Sequence, residues 1–277
     1  MIVLSHYQAE VLVQERGKGS SAEVSPDLGL SKVKVHLDDG VRFPDGERIS
    51  WDVIAEIADN ENNCFIFDHG DMVSIQIYSE SFGRVYTLYP TESAPTMLVS
   101  GIPMHRIKGI DPWEDTKNKM KAFGRLGGHI LDTTTGLGYT AMMAAEHANQ
   151  VTTIEIDPAA QEIARQNPWS QPLFEHPKIT QVIGDSSEVI ETIEDEVFSG
   201  IIHDPPMFSS AGSLYALSFY QQACRVLKPN GRMFHYIGNP KSKSGGRVTR
   251  GVTQRLKQAG FSRVEDNPRA FGVVAFK

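Results

Sequence analysis

The stretch ILDTTTGLGYTA, residues 130–141, decides how this chain reads. Two aliphatics, Ile130 and Leu131, run into Asp132, three threonines, and then Gly136 and Gly138. The segment that follows, YTAMMAAEHA, reads as a helix. A strand that empties into a glycine loop and then a helix is the start of a βαβ unit. Glycines there let the backbone turn tightly and approach a ligand with no Cβ in the way. The helix start behind them offers free N–H donors.

Outward from that stretch the same alternation continues. QVTTIEI, ITQVIGD, SGIIHDPP and GRMFHYIG read as strands, separated by the helical runs PAAQEIARQNP, SSEVIETI and LYALSFYQQACRVLK. The helix GRVTRGVTQRLKQAG and a strand pair, FSRVEDN and FGVVAFK, close the chain. This predicts an α/β fold over residues 116–277: a Rossmann-like, doubly wound, mostly parallel seven-stranded sheet with an antiparallel C-terminal strand. Residues 1–100 have another texture and predict a small β-rich domain. SKVKVHLDDGVRF turns at Asp39-Gly40, NCFIFDHGDMVSIQIYS turns at His69-Gly70, and RVYTLYP adds a strand. SWDVIAEIADN predicts one short helix with Ser50 as its N-cap. Residues 101–115 read as a linker in which Trp113 either packs a seam or stacks on a ligand.

Composition narrows the class. The chain has 277 residues, 40% of them hydrophobic, enough for a real core. No apolar run approaches the ~20 residues of a membrane span. MIVLSHYQAEVLVQERG has neither a basic n-region nor a small-residue cleavage site, so no export signal is expected. Two distant cysteines, Cys64 and Cys224, fit a cytoplasmic protein without disulfides. None of the nine histidines stands at metal-ligand spacing, and no metal is expected. The net charge of −7 argues mildly against a general nucleic-acid coat protein. Its distribution is uneven, however. Gly231 to Phe261 holds no acid, yet carries Arg232, Lys241, Lys243, Arg247, Arg250, Arg255 and Lys257.

Acids at the strand ends point to a nucleoside. Glu155 lies 23 positions after Asp132, close to the offset of about 20 at which an acid accepts from ribose hydroxyls. Asp185, ending the third strand, is placed to accept from the amino group of an adenine, and it can also N-cap SSEVIETI. The fourth strand ends in HDPPMF. Three successive strands would then read the ribose, the base and the reactive end of one adenosine-bearing ligand.

Over residues 116–277 these features resemble the class I S-adenosylmethionine-dependent methyltransferases. Their acid–x–Gly–x–Gly–x–Gly loop stands here as Asp132 to Gly138, with Thr134 in place of the first glycine. The resemblance implies S-adenosylmethionine as co-substrate, held by Asp132, Thr134, Gly136, Gly138, Glu155, Asp185 and Asp204. Asp204 to Phe208 resemble the [DN]PP-aromatic motif of amino-group methyltransferases, with Met207 at the aromatic's place and Phe208 one position late. That implies Asp204, Pro205 and Phe208 as the catalytic set, acting on an amino or ring nitrogen. The whole chain is most similar to a group of predicted methyltransferases, which implies no substrate.

Methyl transfer is an in-line displacement, so the protein mainly positions the two groups and removes water. Asp204 and the Pro205 carbonyl could accept the N–H bonds of the acceptor and aim its lone pair. His203, one residue earlier, points to the opposite face by strand alternation and reads as a buried histidine. Tyr215, Phe219 and Tyr220 read as core. LYALSFYQQACRVLKPNG is also similar to aminopropyltransferases of the spermidine-synthase kind, whose GGGDG and DSSDP loops stand here as DTTTG and DPPMF. With one carboxylate in that loop, the aminopropyltransferase reading ranks second, and a non-catalytic nucleoside- or RNA-binding protein third. A Rossmann dehydrogenase would need G-x-G-x-x-G, which is missing. RNA is the expected partner of a positive patch formed by Lys241, Lys243, Arg247 and Arg250 on a Gly/Ser-rich loop after the fifth strand.

Overall fold

The computed structural model describes residues 1–68, 71–206, 212–242 and 245–277. One compact unit takes Met1–Trp113 together with Glu162–Gln171; the other takes Glu114–Gln161 and Pro172–Lys277.

The first unit begins with β1 (Ile2–Leu4), α1 (His6–Glu15), β2 (Ser21–Val24), β3 (Val33–Leu37), β4 (Gly40–Arg42), β5 (Arg48–Ser50) and α2 (Trp51–Ala58). It continues with β6 (Phe65–Asp68), β7 (Asp71–Ser74), β8 (Gln76–Ser79), β9 (Arg84–Tyr89), β10 (Thr96–Val99) and β11 (Ile102–Pro103). These strands form three small sheets, ordered β1-β6-β7, β2-β3-β4-β5 and β11-β10-β9-β8. The β3–β4 hairpin turns at Asp39-Gly40 as expected, and Ser50 caps α2 by accepting from the Val53 N–H at 3.3 Å. The other expected turn, His69-Gly70, lies outside the described residues, between the antiparallel strands β6 and β7.

One helix goes beyond the single one expected in this region. In α1, Val11 and Val13 alternate like a strand but are exposed, while His6, Ala9 and Leu12 are buried. The capping box Ser5/Gln8 starts the helix, with the Ser5 N–H donating to Gln8 Oε1 at 3.0 Å. Trp169 ties its short segment into this unit: its indole donates to the Leu28 carbonyl at 3.1 Å, and its ring meets Trp113 edge-on at 5.4 Å.

The second unit carries α3 (Pro112–Phe123), β12 (His129–Asp132), α4 (Tyr139–Ala145), β13 (Gln150–Glu155), α5 (Pro158–Gln166), α6 (Gln171–Glu175), β14 (Ile179–Ile183) and α7 (Ser186–Thr192). After these come β15 (Phe198–His203), α8 (Leu217–Val226), β16 (Leu227–Tyr236), α9 (Gly245–Gln258), β17 (Arg263–Asn267) and β18 (Gly272–Phe276). The division between the units falls within α3, α5 and α6. The sheet order is β14-β13-β12-β15-β16-β18-β17, and β18 runs antiparallel to both of its neighbours. This is the predicted doubly wound, seven-stranded sheet. Its central strands β12 and β15 are buried almost end to end, as parallel strands covered on both faces must be. The chain winds outward from β12 to β14 and returns with β15 beside β12. That reversal opens a crevice above their carboxyl ends, where doubly wound sheets bind ligands. Leu131, Ile201, Phe219, Tyr220, Met233 and Val273 lie in the core beneath it.

Candidate active site

Parallel register brings Asp132, Glu155, Asp185 and Asp204 to the carboxyl ends of four neighbouring strands. Asp132 and Glu155 are the last residues of β12 and β13; Asp185 and Asp204 follow β14 and β15 directly or one residue on.

Asp132 is fully buried. Its Oδ2 accepts from the Thr140 hydroxyl at 2.9 Å and the Thr153 hydroxyl at 3.1 Å. Thr153 has thereby spent its proton, so in its 2.7 Å contact with Thr135 the Thr135 hydroxyl is the donor. Asp132 Oδ1 has no hydrogen-bond partner among the described residues. Burial pushes this carboxyl up to about 7; the two threonine hydroxyls oppose the shift, and the negative charge of Asp204 adds to it.

The loop between β12 and α4 is held by a series of hydrogen bonds. The Thr133 N–H donates to the Ile202 carbonyl and the Thr135 N–H to the Ile154 carbonyl. The Gly136 N–H donates to Glu155 Oε2 at 2.9 Å, and the Asp157 N–H to Glu155 Oε1 at 3.1 Å. Burial still raises the Glu155 carboxyl above its ordinary value against those two bonds. Gly136 has φ +52°, and a Cβ there would meet nothing within 4 Å, so the loop presents open space on that side. Gly138 has φ +77°, and a Cβ there would lie 2.6 Å from Leu173. Thr134 stands where the resembled family has a glycine, and its hydroxyl donates to the Asp204 carbonyl at 2.9 Å. That bond ties the glycine loop to the loop after β15. Asp185 is the N-cap of α7, accepting from the Ser187 N–H and hydroxyl through Oδ1 alone, each at 2.7 Å.

Asp204 is the most elaborately held of the four. Lys119 Nζ, from α3, lies 2.6 Å from Asp204 Oδ2, 3.1 Å from Asp115 Oδ2, and 4.7 Å from the centre of the Tyr236 ring. The exposures are 1% for the Lys119 side chain, 0% for Asp115 and 16% for Asp204. Burial works against the Lys119 charge, but the attraction of Asp204 and Asp115 and the Asp204 hydrogen bond outweigh it and raise the ammonium's pKa. Two carboxylates and one ammonium leave the cluster with one net negative charge. Beside it, Pro205 is buried, and the Tyr215 hydroxyl donates to the Pro206 carbonyl at 3.1 Å.

His203 faces away from this cluster, as its alternation required. Its Nε2 lies 2.9 Å from the Leu214 carbonyl and must donate to it, which leaves Nδ1 to accept from the Thr133 hydroxyl at 2.6 Å. Burial pushes His203 down to about 3, so it is a neutral structural tie under the loop. Phe208 and Lys243 lie outside the described residues. Lys241, Arg247 and Arg250 are exposed, and Arg247 and Arg250 belong to the first turns of α9, the helix expected from GRVTRGVTQRLKQAG, and not to the Gly/Ser-rich loop before it. Arg255 is half-buried beside the Tyr220 hydroxyl.

Sequence reading missed Lys119, Asp115 and the Tyr215 hydroxyl as site groups. The only signal for the first two was an Asp and a Lys at i, i+4 in WEDTKNK, a spacing that ordinarily marks a surface ion pair.

Comparison with known proteins places the chain among methyltransferases. A family model described as the methyltransferase small domain matches residues 117–257. An uncharacterised protein of Methanocaldococcus jannaschii is 38% identical over an alignment covering 100% of this chain and 97% of that one. A tRNA1(Val) (adenine(37)-N6)-methyltransferase of Porphyromonas gingivalis is 37% identical over 94 residues, which is 32% of this chain and 36% of that enzyme. Among solved structures, spermidine synthase from Thermotoga maritima superposes with a TM-score of 0.57 at 20% identity, over 76% of this chain and 77% of the other, a likeness of fold. Among the described residues no helix is long and apolar enough to cross a membrane.

Proposed function

This chain belongs to the methyltransferase small domain family, whose methyl donor is S-adenosylmethionine, and from that premise we propose that it methylates a neutral amino or ring nitrogen of an RNA base. The donor, when bound, supplies an electrophilic methyl group on a sulfonium. Everything else falls to the residues above the sheet. Asp132 has a buried carboxylate oxygen with no partner among the described residues, which suits the ammonium of an amino-acid tail. Gly136, with open space where a Cβ would stand, lets the loop lie against the donor, and Gly138 and Thr134 hold that loop's shape. Glu155 and Asp185 retain acceptor capacity for ribose hydroxyls and an adenine amino group. Asp204 and the Pro205 carbonyl receive the acceptor's N–H bonds and aim its lone pair at the methyl carbon. The net negative charge of the Asp204–Lys119–Asp115 cluster stabilises the cation that develops on nitrogen.

The observation that carries the choice of acceptor is the ammonium on Asp204. A polyamine site needs carboxylates to meet a cationic substrate. Here the loop after β15 supplies one carboxylate, Asp204, whose charge is shared with Lys119 at 2.6 Å, so the single net negative charge of the cluster suits one developing cation and falls short of a polyamine's several ammoniums. A neutral exocyclic amine needs only an acceptor lone pair. The 94-residue similarity to a tRNA adenine methyltransferase supports an RNA base, and so does the basic start of α9.

The test has two steps. Calorimetry measures the binding of S-adenosylmethionine to the purified protein; absence of binding would sink the reading. Labelled donor is then screened against tRNA, rRNA, protein and polyamines. Label should enter RNA, and Asp204→Ala should abolish transfer while leaving donor affinity within about twofold. Aminopropyl transfer from the decarboxylated donor, without methyl transfer, would establish the aminopropyltransferase instead.

A further inference from the structure

We propose that Lys119 is a positioning residue for this transfer, a buried ammonium that fixes the orientation and charge of the Asp204 carboxylate. The inference rests on the reading that Asp204 receives the acceptor nitrogen. Its basis is geometric. Lys119 is 1% exposed, contacts Asp204 Oδ2 at 2.6 Å and Asp115 Oδ2 at 3.1 Å, and lies under the Tyr236 ring at 4.7 Å. A lysine buried to that degree is costly unless it is paired. Among the described residues, charges and dipoles face Asp204 from several elements. Lys119 and Asp115 face it from α3, Tyr236 from β16, Asp132 from the end of β12, and Tyr215 from the turn before α8; the Thr134 hydroxyl holds its carbonyl. Among these described residues Lys119 carries the positive charge. The negative charges of Asp132 and Asp115 lie near Asp204, and like charges work against a further carboxylate; a protonated Asp204 would present a hydroxyl to the acceptor amine. Lys119 opposes that, and its short contact holds one oxygen in place so that the carboxyl plane keeps a single orientation.

The pair is also reached from two separate elements. Asp204 follows β15, whereas Lys119 stands on α3, 85 positions earlier in the chain. A helix supplying a cation to a strand-end carboxylate makes the active geometry depend on how α3 is docked.

The test uses the whole protein and two variants. Lys119→Met combined with Asp115→Asn removes one charge of each sign, so no second carboxylate is left buried and unpaired. Lys119→Arg keeps the charge. The double variant should bind S-adenosylmethionine within about twofold of wild type. Its methyl transfer to undermodified bulk tRNA should fall by about a hundredfold in kcat with little change in KM, and the acid limb of its rate profile should move to higher pH by about one unit or more. Lys119→Arg should recover at least about tenfold. A second readout needs no acceptor: carboxyl NMR of labelled aspartates, with the Asp204 signal assigned by Asp204→Asn. The Asp204 signal should titrate at higher pH in the double variant than in wild type. An unchanged titration, or an unchanged rate and pH profile in a variant that still binds donor, overturns the role of Lys119. Methyl transfer that survives Asp204→Ala overturns instead the assignment of Asp204 on which the proposal rests.

Discussion

At the scale of single residues, Asp132 makes the most direct prediction. Its carboxyl sits near 7 because it is buried, with one oxygen unpartnered among the described residues. An ammonium placed against that oxygen favours the ionised form. Donor binding near neutral pH should therefore expel a fraction of a proton, and affinity should weaken by up to about tenfold per pH unit below the carboxyl's midpoint. Calorimetry at about pH 7 in two buffers of different ionisation enthalpy measures the proton count directly. Asp132→Asn should remove the proton release together with the pH dependence. Equal heats in both buffers for the wild type would mean that Asp132 does not meet the donor's charge. Thr134 carries a lesson at the same scale. As a substitute for glycine it reads as a loss of loop freedom, but its hydroxyl supplies the bond to the Asp204 carbonyl that glycine cannot make.

At the scale of elements, α3 is the part on which the site turns. Asp115, Thr116, Lys119 and Phe123 form its buried face at i, i+1, i+4 and i+8. Phe123 docks on Gly200 of β15, where a Cβ would come within 2.3 Å of the Phe123 ring and 3.2 Å of Ile130. Gly200→Ala should thus overpack this contact at about 1–3 kcal/mol. Lys119 lies one turn from Phe123 on the same face, so the displaced helix should also draw the ammonium away from Asp204. Thermal unfolding should show a lowered Tm, and methyl transfer should fall more than donor affinity. A variant with wild-type Tm and activity would mean that α3 is not held by this contact. In α4 the corresponding constraint is Gly138, whose φ of +77° and nearness to Leu173 exclude a side chain at the helix start.

At the scale of the whole molecule, buried titratable groups set the response to acid. Burial depresses His203 to about 3 and lowers His235 well below its usual value; a neighbouring ring, His203, adds to the effect on His235. Their contribution to stability is complete above about pH 6.5 and is lost as pH falls. Asp132 has the opposite sign: its raised carboxyl costs stability as pH climbs toward 7, and the raised Glu155 carboxyl acts in the same direction. Lys119, raised above its ordinary value, contributes a constant amount throughout this range. Two histidines outweigh the opposing carboxyls, so between about pH 5.5 and 6.5 stability should fall on acidification by less than about 1 kcal/mol per unit. Calorimetric Tm values at about pH 5, 6 and 7 check the sign, and Asp132→Asn should steepen the slope. A Tm that rises on acidification across that range would contradict the assignment of neutral histidines. The surface makes a separate prediction. Arg247 and Arg250 sit near the positive end of α9, where cations are disfavoured unless something negative is near. On the same helix, Arg250, Thr253 and Lys257 line a groove of about 550 Å³ with Asp266 opposite. Replacing Lys241, Lys243, Arg247 and Arg250 by Ala should weaken RNA binding and flatten its salt dependence. The log–log slope should drop by about 0.7–0.9 for each phosphate that is no longer neutralised. RNA affinity that does not change would remove this surface from the RNA-binding reading.

The order of strands and the acids at their ends were legible because both are local. Alternating apolar runs report βαβ units, and Asp132, Glu155, Asp185 and Asp204 each end a run. Ser50 and Asp185 as helix caps were legible for the same reason. The short helix α1 was not, because Val11 and Val13 alternate like a strand while only the packing of His6, Ala9 and Leu12 declares a helical face. Where α3 docks was beyond any local pattern. Lys119 and Asp204 stand 85 positions apart, and an Asp–Lys pair one turn apart has the same sequence whether water or a strand end surrounds it. The sequence by itself determined which strands carry the acids and in what order. The tertiary structure decided which of those carboxylates keeps an oxygen without a partner among the described residues and which receives a cation. Desolvation and pairing depend on what another part of the chain brings within about 3 Å.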